Sequence, residues 1–242
     1  MSRFVRVQLT NAATAFALAS VLSVTTAPLA AQVVGRVPEE AVLKDLFDGQ
    51  RLGVFGGWLT TGLDPVGVRA HSGPIAGVRY TVLMASPLYF SMRLFGVRTE
   101  HNVLVPSAPA AARRAGTASG NLLGFDSGFE LALTGERAWR GVQPLLTGGV
   151  GFITGALNSF DAGGYSPGVS ALYSYGLAMR FPTGQNGELR ADVGWLVHQM
   201  RYPSTFRTEF SGDGAPLRAT GTLTPLTSNR AMTLAWTWGI FR

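Results

Sequence analysis

The sequence predicts an all-β fold, an eight-stranded antiparallel up-and-down transmembrane β-barrel. Three features of the 242-residue chain predict it: strand-like stretches of alternating character, loops that alternate between long and short, and an N-terminal segment typical of exported proteins. The chain is 46% hydrophobic and only 14% charged, whereas ordinary soluble domains carry about 25% charged residues. It contains no cysteine, so burial or a membrane must hold the exported fold.

The alternation is clearest in residues 123–134. Odd positions are mostly Leu and Phe, and even positions are Gly, Asp, Glu, Ala and Thr. A soluble half-buried strand shows the same period of two, but glycines and acids make an unusual solvent-facing row. They suit the crowded interior of a narrow barrel. The sequence therefore predicts large apolar side chains facing lipid, with small and charged side chains in the lumen.

Seven further stretches between turn residues complete the barrel. The connections after the first, third, fifth and seventh strands are long, and the other three are short. In an up-and-down meander all long loops lie at one end, as in transmembrane barrels with short periplasmic turns and long outer loops. The predicted strands are residues 52–60, 75–84, 88–99, 123–134, 142–154, 169–181, 189–200 and 231–241.

Residues 1–31 are predicted to be a signal peptide. Arg3 and Arg6 precede an uncharged apolar run at 12–24, and small residues follow before Gln32. The run is too short to cross the roughly 30 Å apolar core of a bilayer as a helix. Residues 32–51 are then a periplasmic lead-in, compatible with either a short helix or an irregular segment, and residues 52–242 form the barrel.

The charge of the chain favours anionic lipid over nucleic acid as a partner. Without residues 1–31, 18 basic and 14 acidic residues remain, a formal charge of +4. No basic run exceeds the pair Arg113-Arg114, so lipid headgroups are the expected counterpart. Six arginines in or near the long loops are either solvated or in contact with lipopolysaccharide phosphates: Arg69, Arg98, Arg113, Arg114, Arg207 and Arg218.

Nine ionisable residues fall on the inward parity of the predicted strands. A buried charge without a partner is too costly in free energy, so these residues are expected to pair, Arg180 with Glu188 across the turn at Pro182 for example. They form either a polar pore or a salt-bridged plug, and an eight-stranded lumen just wide enough for side chains favours the plug. The predicted lumen charge network is Arg79, Arg93, Asp126, Glu130, Arg180, Glu188, Arg190, Asp192 and His198.

Five aromatic residues fall on the lipid-facing parity. They are candidates for the aromatic girdles at the two membrane interfaces, although in a soluble fold they would be core residues. They are Trp58, Tyr80, Trp195, Trp236 and Trp238.

With the signal, the meander and the loop lengths together, the chain resembles the small eight-stranded outer-membrane β-barrels, the OmpA-like and OmpX-like group, over about residues 52–242. Its last strand resembles their insertion signal, but it ends on Phe241, off register, and Arg242. The resemblance implies a bacterial outer-membrane location, lipids and lipopolysaccharide as neighbours, the barrel-assembly machinery as a partner during biogenesis, and no cofactor. The alternating residues of that strand are Met232, Leu234, Trp236, Trp238 and Ile240.

A non-enzymatic structural or surface-interaction role is the predicted function, with two alternatives. One is a narrow channel for small or hydrophobic solutes. The other is a barrel-embedded lipid A hydrolase, but those enzymes hold His and Ser one residue apart, whereas the serine nearest His198 is Ser204. His71 and His101 do not have the sequence spacing typical of metal ligands, so no metal site is predicted.

Two other folds compete with the transmembrane barrel. Residues 141–160 carry no charge and are long enough for a spanning helix, although their five glycines and one proline disfavour it. The second competitor is a soluble exported β-barrel that binds an apolar ligand.

Overall fold

The computed structural model describes residues 43–45, 49–62, 64, 66–155, 161–183, 186–208 and 216–241. The predicted signal peptide and lead-in residues 32–42 lie outside this part of the chain. Where the lead-in is described, residues 43–45 form a short strand rather than a helix.

Eight strands form a closed antiparallel barrel, which confirms the predicted fold class. Each strand pairs with its neighbours in an up-and-down meander, and the last strand closes the barrel by pairing with the first. The barrel strands are β2 (Gln50–Thr61), β3 (Gly73–Ala85), β4 (Leu88–Val97), β7 (Leu122–Ala132), β9 (Gln143–Thr154), β10 (Val169–Pro182), β11 (Gly187–Gln199) and β12 (Leu226–Phe241).

Four shorter strands lie outside the barrel. In the loop after β4, β5 (Glu100–Leu104) and β6 (Arg114–Ser119) form a hairpin that the Pro- and Ala-rich sequence does not predict. At the short-turn end, β1 (Leu43–Asp45) pairs with β8 (Arg137–Trp139) in the turn that joins β7 to β9. Two 3-10 turns, Ala110–Ala112 and Ser204–Arg207, complete the described long loops.

The spanning helix considered for residues 141–160 is wrong, because residues 143–154 form β9. No helix in the described ranges combines the length and the apolar character that a membrane crossing requires. β12 starts at Leu226 rather than at residue 231. A register shift between Gly239 and Phe241 interrupts its alternation, so the period of two does not extend to the last residues.

The lumen is filled by two layers of different chemistry. The short-turn half holds the charged side chains. The long-loop half holds large apolar side chains, which makes the expectation of a lumen of only small and charged residues wrong there. The apolar layer contains Phe55, Leu59, Ile75, Phe95, Val97, Leu122, Ile153, Leu172 and Leu196.

The long loops pack together above the apolar layer. Their buried centre, the loop cluster, is Val68, Tyr165, Met200, Tyr202 and Phe206. The hydroxyl of Tyr202 donates to Asp64. A small cavity between the loop cluster and the lumen is lined by residues of both. The loops therefore cover this end of the barrel.

Candidate functional site in the barrel lumen

The first part of the charge network lies near the short turns. Arg180 Nε donates to Glu188 Oε2 at 3.0 Å, the pair that the sequence predicts across the turn at Pro182. Arg180 Nη1 donates to Gln143 Oε1 at 2.8 Å, and its guanidinium carbon lies 4.9 Å from the ring centroid of Tyr89. Arg51 Nη1 lies 3.2 Å from Glu188 Oε2.

The second part of the network crosses the lumen. Arg190 of β11 donates through Nη1 to Glu130 Oε2 of β7 at 2.6 Å. The same guanidinium donates through Nη2 to Asp192 Oδ1 at 2.8 Å. Arg79 of β3 binds both oxygens of Asp192, at 3.0 and 3.1 Å. Two strands separate β11 from β7 and two separate it from β3, so the pairs Arg190–Glu130 and Arg79–Asp192 connect parts of the wall that are not adjacent.

A third pair joins neighbouring strands. Arg93 and Asp126 are directly opposite each other on β4 and β7. The Arg93 side chain donates through Nε to Asp126 Oδ1 at 2.9 Å and through Nη2 to Oδ2. Both residues belong to the predicted network, and the pairing of β4 with β7 brings them together.

His198 is the predicted network residue that lies elsewhere. It points inward from the long-loop end of β11 and lines the small cavity beside Arg69 and Asn229. The structure thus brings eight of the nine predicted residues together. It adds Arg51, Gln143 and Tyr89, which sequence reasoning missed. Arg51 lies one residue before the predicted start of the first strand, and Gln143 is uncharged. Neither residue was therefore among the ionisable residues on the inward side of the predicted strands.

The cavities between these side chains are small. Two in the lumen have volumes of about 20 Å³ each; one touches Arg93, Thr147 and Asp192, and the other Arg79, Glu130 and Arg190. Such a volume holds a single water molecule.

Within the described residues, the network pairs five arginines with four carboxylates. The arrangement is suited to holding register and filling space, because its charged groups are already bound to one another.

The outer surface of the barrel has the opposite character. Phe129, Tyr175 and Trp236 are 52%, 52% and 48% exposed, whereas Asp126 and Arg180 are 3% and 1% exposed. A soluble monomer rarely exposes an apolar surface of this extent. The barrel strands have 10 to 16 residues, enough for the roughly 9–11 that a bilayer crossing needs. The protein is a transmembrane β-barrel.

The five predicted interface aromatics all point away from the lumen of the transmembrane barrel. Trp58 and Trp195 lie toward the long-loop ends of β2 and β11, and Trp195 stacks on Tyr175 with ring centroids 5.5 Å apart. Tyr80, Trp236 and Trp238 lie toward the short-turn ends of their strands. They thus fall into two groups along the barrel axis.

Comparison with known proteins gives similarity in fold only. No family model matches the sequence, and no curated protein matches it significantly. Solved structures with a similar fold include Neisserial surface protein A, with 10% identity and a TM-score of 0.48 over 79% of this chain and 97% of that chain. The outer membrane protein OprG from Pseudomonas aeruginosa has 11% identity and a TM-score of 0.42 over 80% and 97%. The predicted resemblance to small eight-stranded outer-membrane barrels is confirmed at the level of architecture. The observation that confirms it is the closed order of eight antiparallel strands in this chain.

The loop cluster leads to a prediction about alkaline titration. Burial raises the pKa of Tyr202, and its hydrogen bond to Asp64 adds to the shift. In the unfolded chain this phenol ionises at pH ~10. The stability that the folded protein gains from the raised pKa of Tyr202 is therefore fully present below that pH and falls as the pH rises further. In phenolate absorbance titrations, Tyr202→Phe should remove signal well above pH ~10 in the folded protein and near pH ~10 in the urea-unfolded protein. Loss of signal at the same pH in both states would contradict the buried hydrogen bond.

Proposed function

We propose that the protein is a non-enzymatic barrel of the bacterial outer membrane with a structural or surface-interaction role, and that its lumen is closed. The observation that carries the closed lumen is the pair of contacts that cross the barrel, Arg190 with Glu130 and Arg79 with Asp192. The apolar layer fills the other half of the lumen. A solute would have to separate ion pairs and displace packed aromatic side chains to pass.

Two features support the outer-membrane location. The exterior is apolar between its two groups of aromatic residues, as lipid contact requires. The long loops share one end and the short turns the other, the layout of barrels that insert from the periplasm. With the predicted signal peptide, these features support an orientation with the packed loops outside the cell and the short turns in the periplasm.

We assign no catalytic role to His198. This side chain lines a cavity of about 20 Å³ with Leu59, Arg69 and Asn229, which has room for one water molecule but none for an acyl chain. Its position supports a packing role at the boundary between the lumen and the loop cluster.

The closed lumen predicts the absence of steady conductance. The refolded protein in a planar bilayer at high KCl concentration should give no stable channel, while a general porin in the same apparatus conducts. A steady conductance that changes with Glu130→Gln but not with Arg230→Gln would contradict the closed lumen and favour the narrow channel. Arg230 is the matched control because it is exposed on the outward side of β12.

A further inference from the structure

A groove of about 730 Å³ lies at the long-loop end of the barrel, on its outer side. It is lined by β2, by the start of β3, by the residues that follow β4 and by the hairpin β5–β6. Its volume is within the range of roughly 300–1,000 Å³ typical of ligand sites. The lining includes Trp58, His71, Arg98, Glu100, Thr117 and Ser119.

Arg98 differs from the other five loop arginines. Four of them donate to backbone carbonyl oxygens, Arg69 to Ser228, Arg113 to Ala108, Arg207 to Gly221 and Arg218 to Thr222, and Arg114 donates to the side-chain oxygen of Asn102. Those five arginines are therefore tied into the loops. The guanidinium of Arg98 is exposed and has no protein partner among the described residues. Of the six, it is the one that lines the groove and is free to bind a ligand.

The backbone around Arg98 is fixed in place. The Arg98 amide donates to Pro74 O at 3.0 Å, the His71 amide to Glu100 O at 2.7 Å, and the Gly120 amide to Thr99 O at 2.8 Å. The start of the hairpin is thus hydrogen-bonded to the loop before β3, and the two strands of the hairpin are held together at their base. A preformed groove binds its ligand without first paying the conformational entropy of loop ordering.

The groove opens at the depth of the lipid headgroups. Trp58 is 52% exposed on the lipid-facing side of β2. Two residues further along, Thr60 pairs with the outward-facing Arg230, which in turn pairs with Trp195. An outward charge beside two tryptophans marks the boundary between the apolar exterior and the headgroup region.

We propose that this groove binds a phosphate-bearing lipid of the outer leaflet. Arg98 would bind the phosphate through charge-assisted hydrogen bonds. The hydroxyls of Thr117 and Ser119 would bind headgroup oxygens, and Trp58 would contact the first methylenes of the acyl chain. The carboxylate of Glu100 would repel the phosphate, which favours its binding at the Arg98 side of the groove. The inference rests on the proposed membrane location.

The test measures binding of phosphatidic acid to the folded protein in neutral detergent by native mass spectrometry. Phosphatidic acid should bind and diacylglycerol with the same chains should not. Arg98→Gln should weaken binding about tenfold and Trp58→Ala should weaken it severalfold, whereas Arg98→Lys should retain part of the affinity. Arg230→Gln, at the same depth but outside the groove, should change binding less than about twofold.

Three outcomes would overturn the groove assignment. Equal losses in the Arg98 and Arg230 variants would mean general attraction to a basic rim. Displacement of the lipid by equimolar inorganic phosphate would mean a phosphate site rather than a lipid site. No binding by a wild-type protein that inserts into liposomes and shifts on gels when heated would refute the groove and leave the membrane barrel standing. Failure to insert would instead refute the proposed location.

Discussion

Replacing Arg190 with methionine is expected to lower the free energy of unfolding by about 3–5 kcal/mol. Arg190 is 1% exposed and donates to both Glu130 and Asp192. Asp192 would keep its two hydrogen bonds to Arg79, but Glu130, 2% exposed, would lose its ion-pair partner. The measurement is urea unfolding in detergent micelles, followed by the gel mobility difference between folded and unfolded barrel.

The double variant Arg190→Met/Glu130→Gln tests the reason for this loss. If the unpaired Glu130 carboxylate is the cause, removing its charge should restore at least about 1 kcal/mol relative to Arg190→Met alone, since a neutral buried amide is less costly than a buried ion. The control Arg230→Gln, on the lipid-facing side of β12, should stay within about 0.5 kcal/mol of wild type. Additive losses in the double variant would show that Arg190 stabilises the barrel by packing rather than by pairing.

The side of the sheet on which each strand residue lies was predictable, because it follows from the local alternation of residues along the strand. In β7 the odd residues face lipid and the even residues face the lumen, as the period of two requires. The same holds for β10, where Tyr173 and Tyr175 are exposed and Ser174 and Arg180 are buried. Alternation predicts which face a side chain occupies, and loop lengths predict which end of the barrel a turn occupies.

The partners across the lumen were not predictable in the same way. Arg93 and Asp126 face each other on neighbouring strands, so their contact follows from the meander alone. Arg190 reaches Glu130 from a strand that is not its neighbour, and that meeting depends on how the closed barrel staggers its strands. No sequence spacing encodes the stagger.

The division of the lumen into a charged layer and an apolar layer could not be predicted from the sequence either. Phe55 and Phe95 point into the lumen, but a large apolar side chain is equally compatible with the lipid-facing side of a strand. The loop arginines show a similar limit: Arg69 and Arg98 look alike in the sequence. Only the packed loops separate the hydrogen-bonded Arg69 from the free Arg98 of the groove.

Replacing Gly151 with alanine is expected to destabilise the barrel by about 3 kcal/mol or more, beyond the usual loss from an overpacked site. A Cβ atom at Gly151 would lie 1.9 Å from the carbonyl oxygen of Phe125 and 2.6 Å from the Cα of Asp126. These are backbone atoms of the paired strand β7, so no rotation of a side chain can relieve the contact. β9 must move away from β7, and the shift disturbs Asp126 in its pair with Arg93.

Gly148, on the same strand, supplies the matched control. Its Cβ would point toward lipid, and its nearest neighbour would be the carbonyl oxygen of Ser174 at 4.0 Å, an ordinary contact. Gly148→Ala should therefore stay within about 0.5 kcal/mol of wild type in the same urea unfolding assay. Equal stability of the two variants would contradict this explanation. It would mean that β7 and β9 can move apart locally at no cost in stability, so that Gly151 is not needed for the close approach of their backbones.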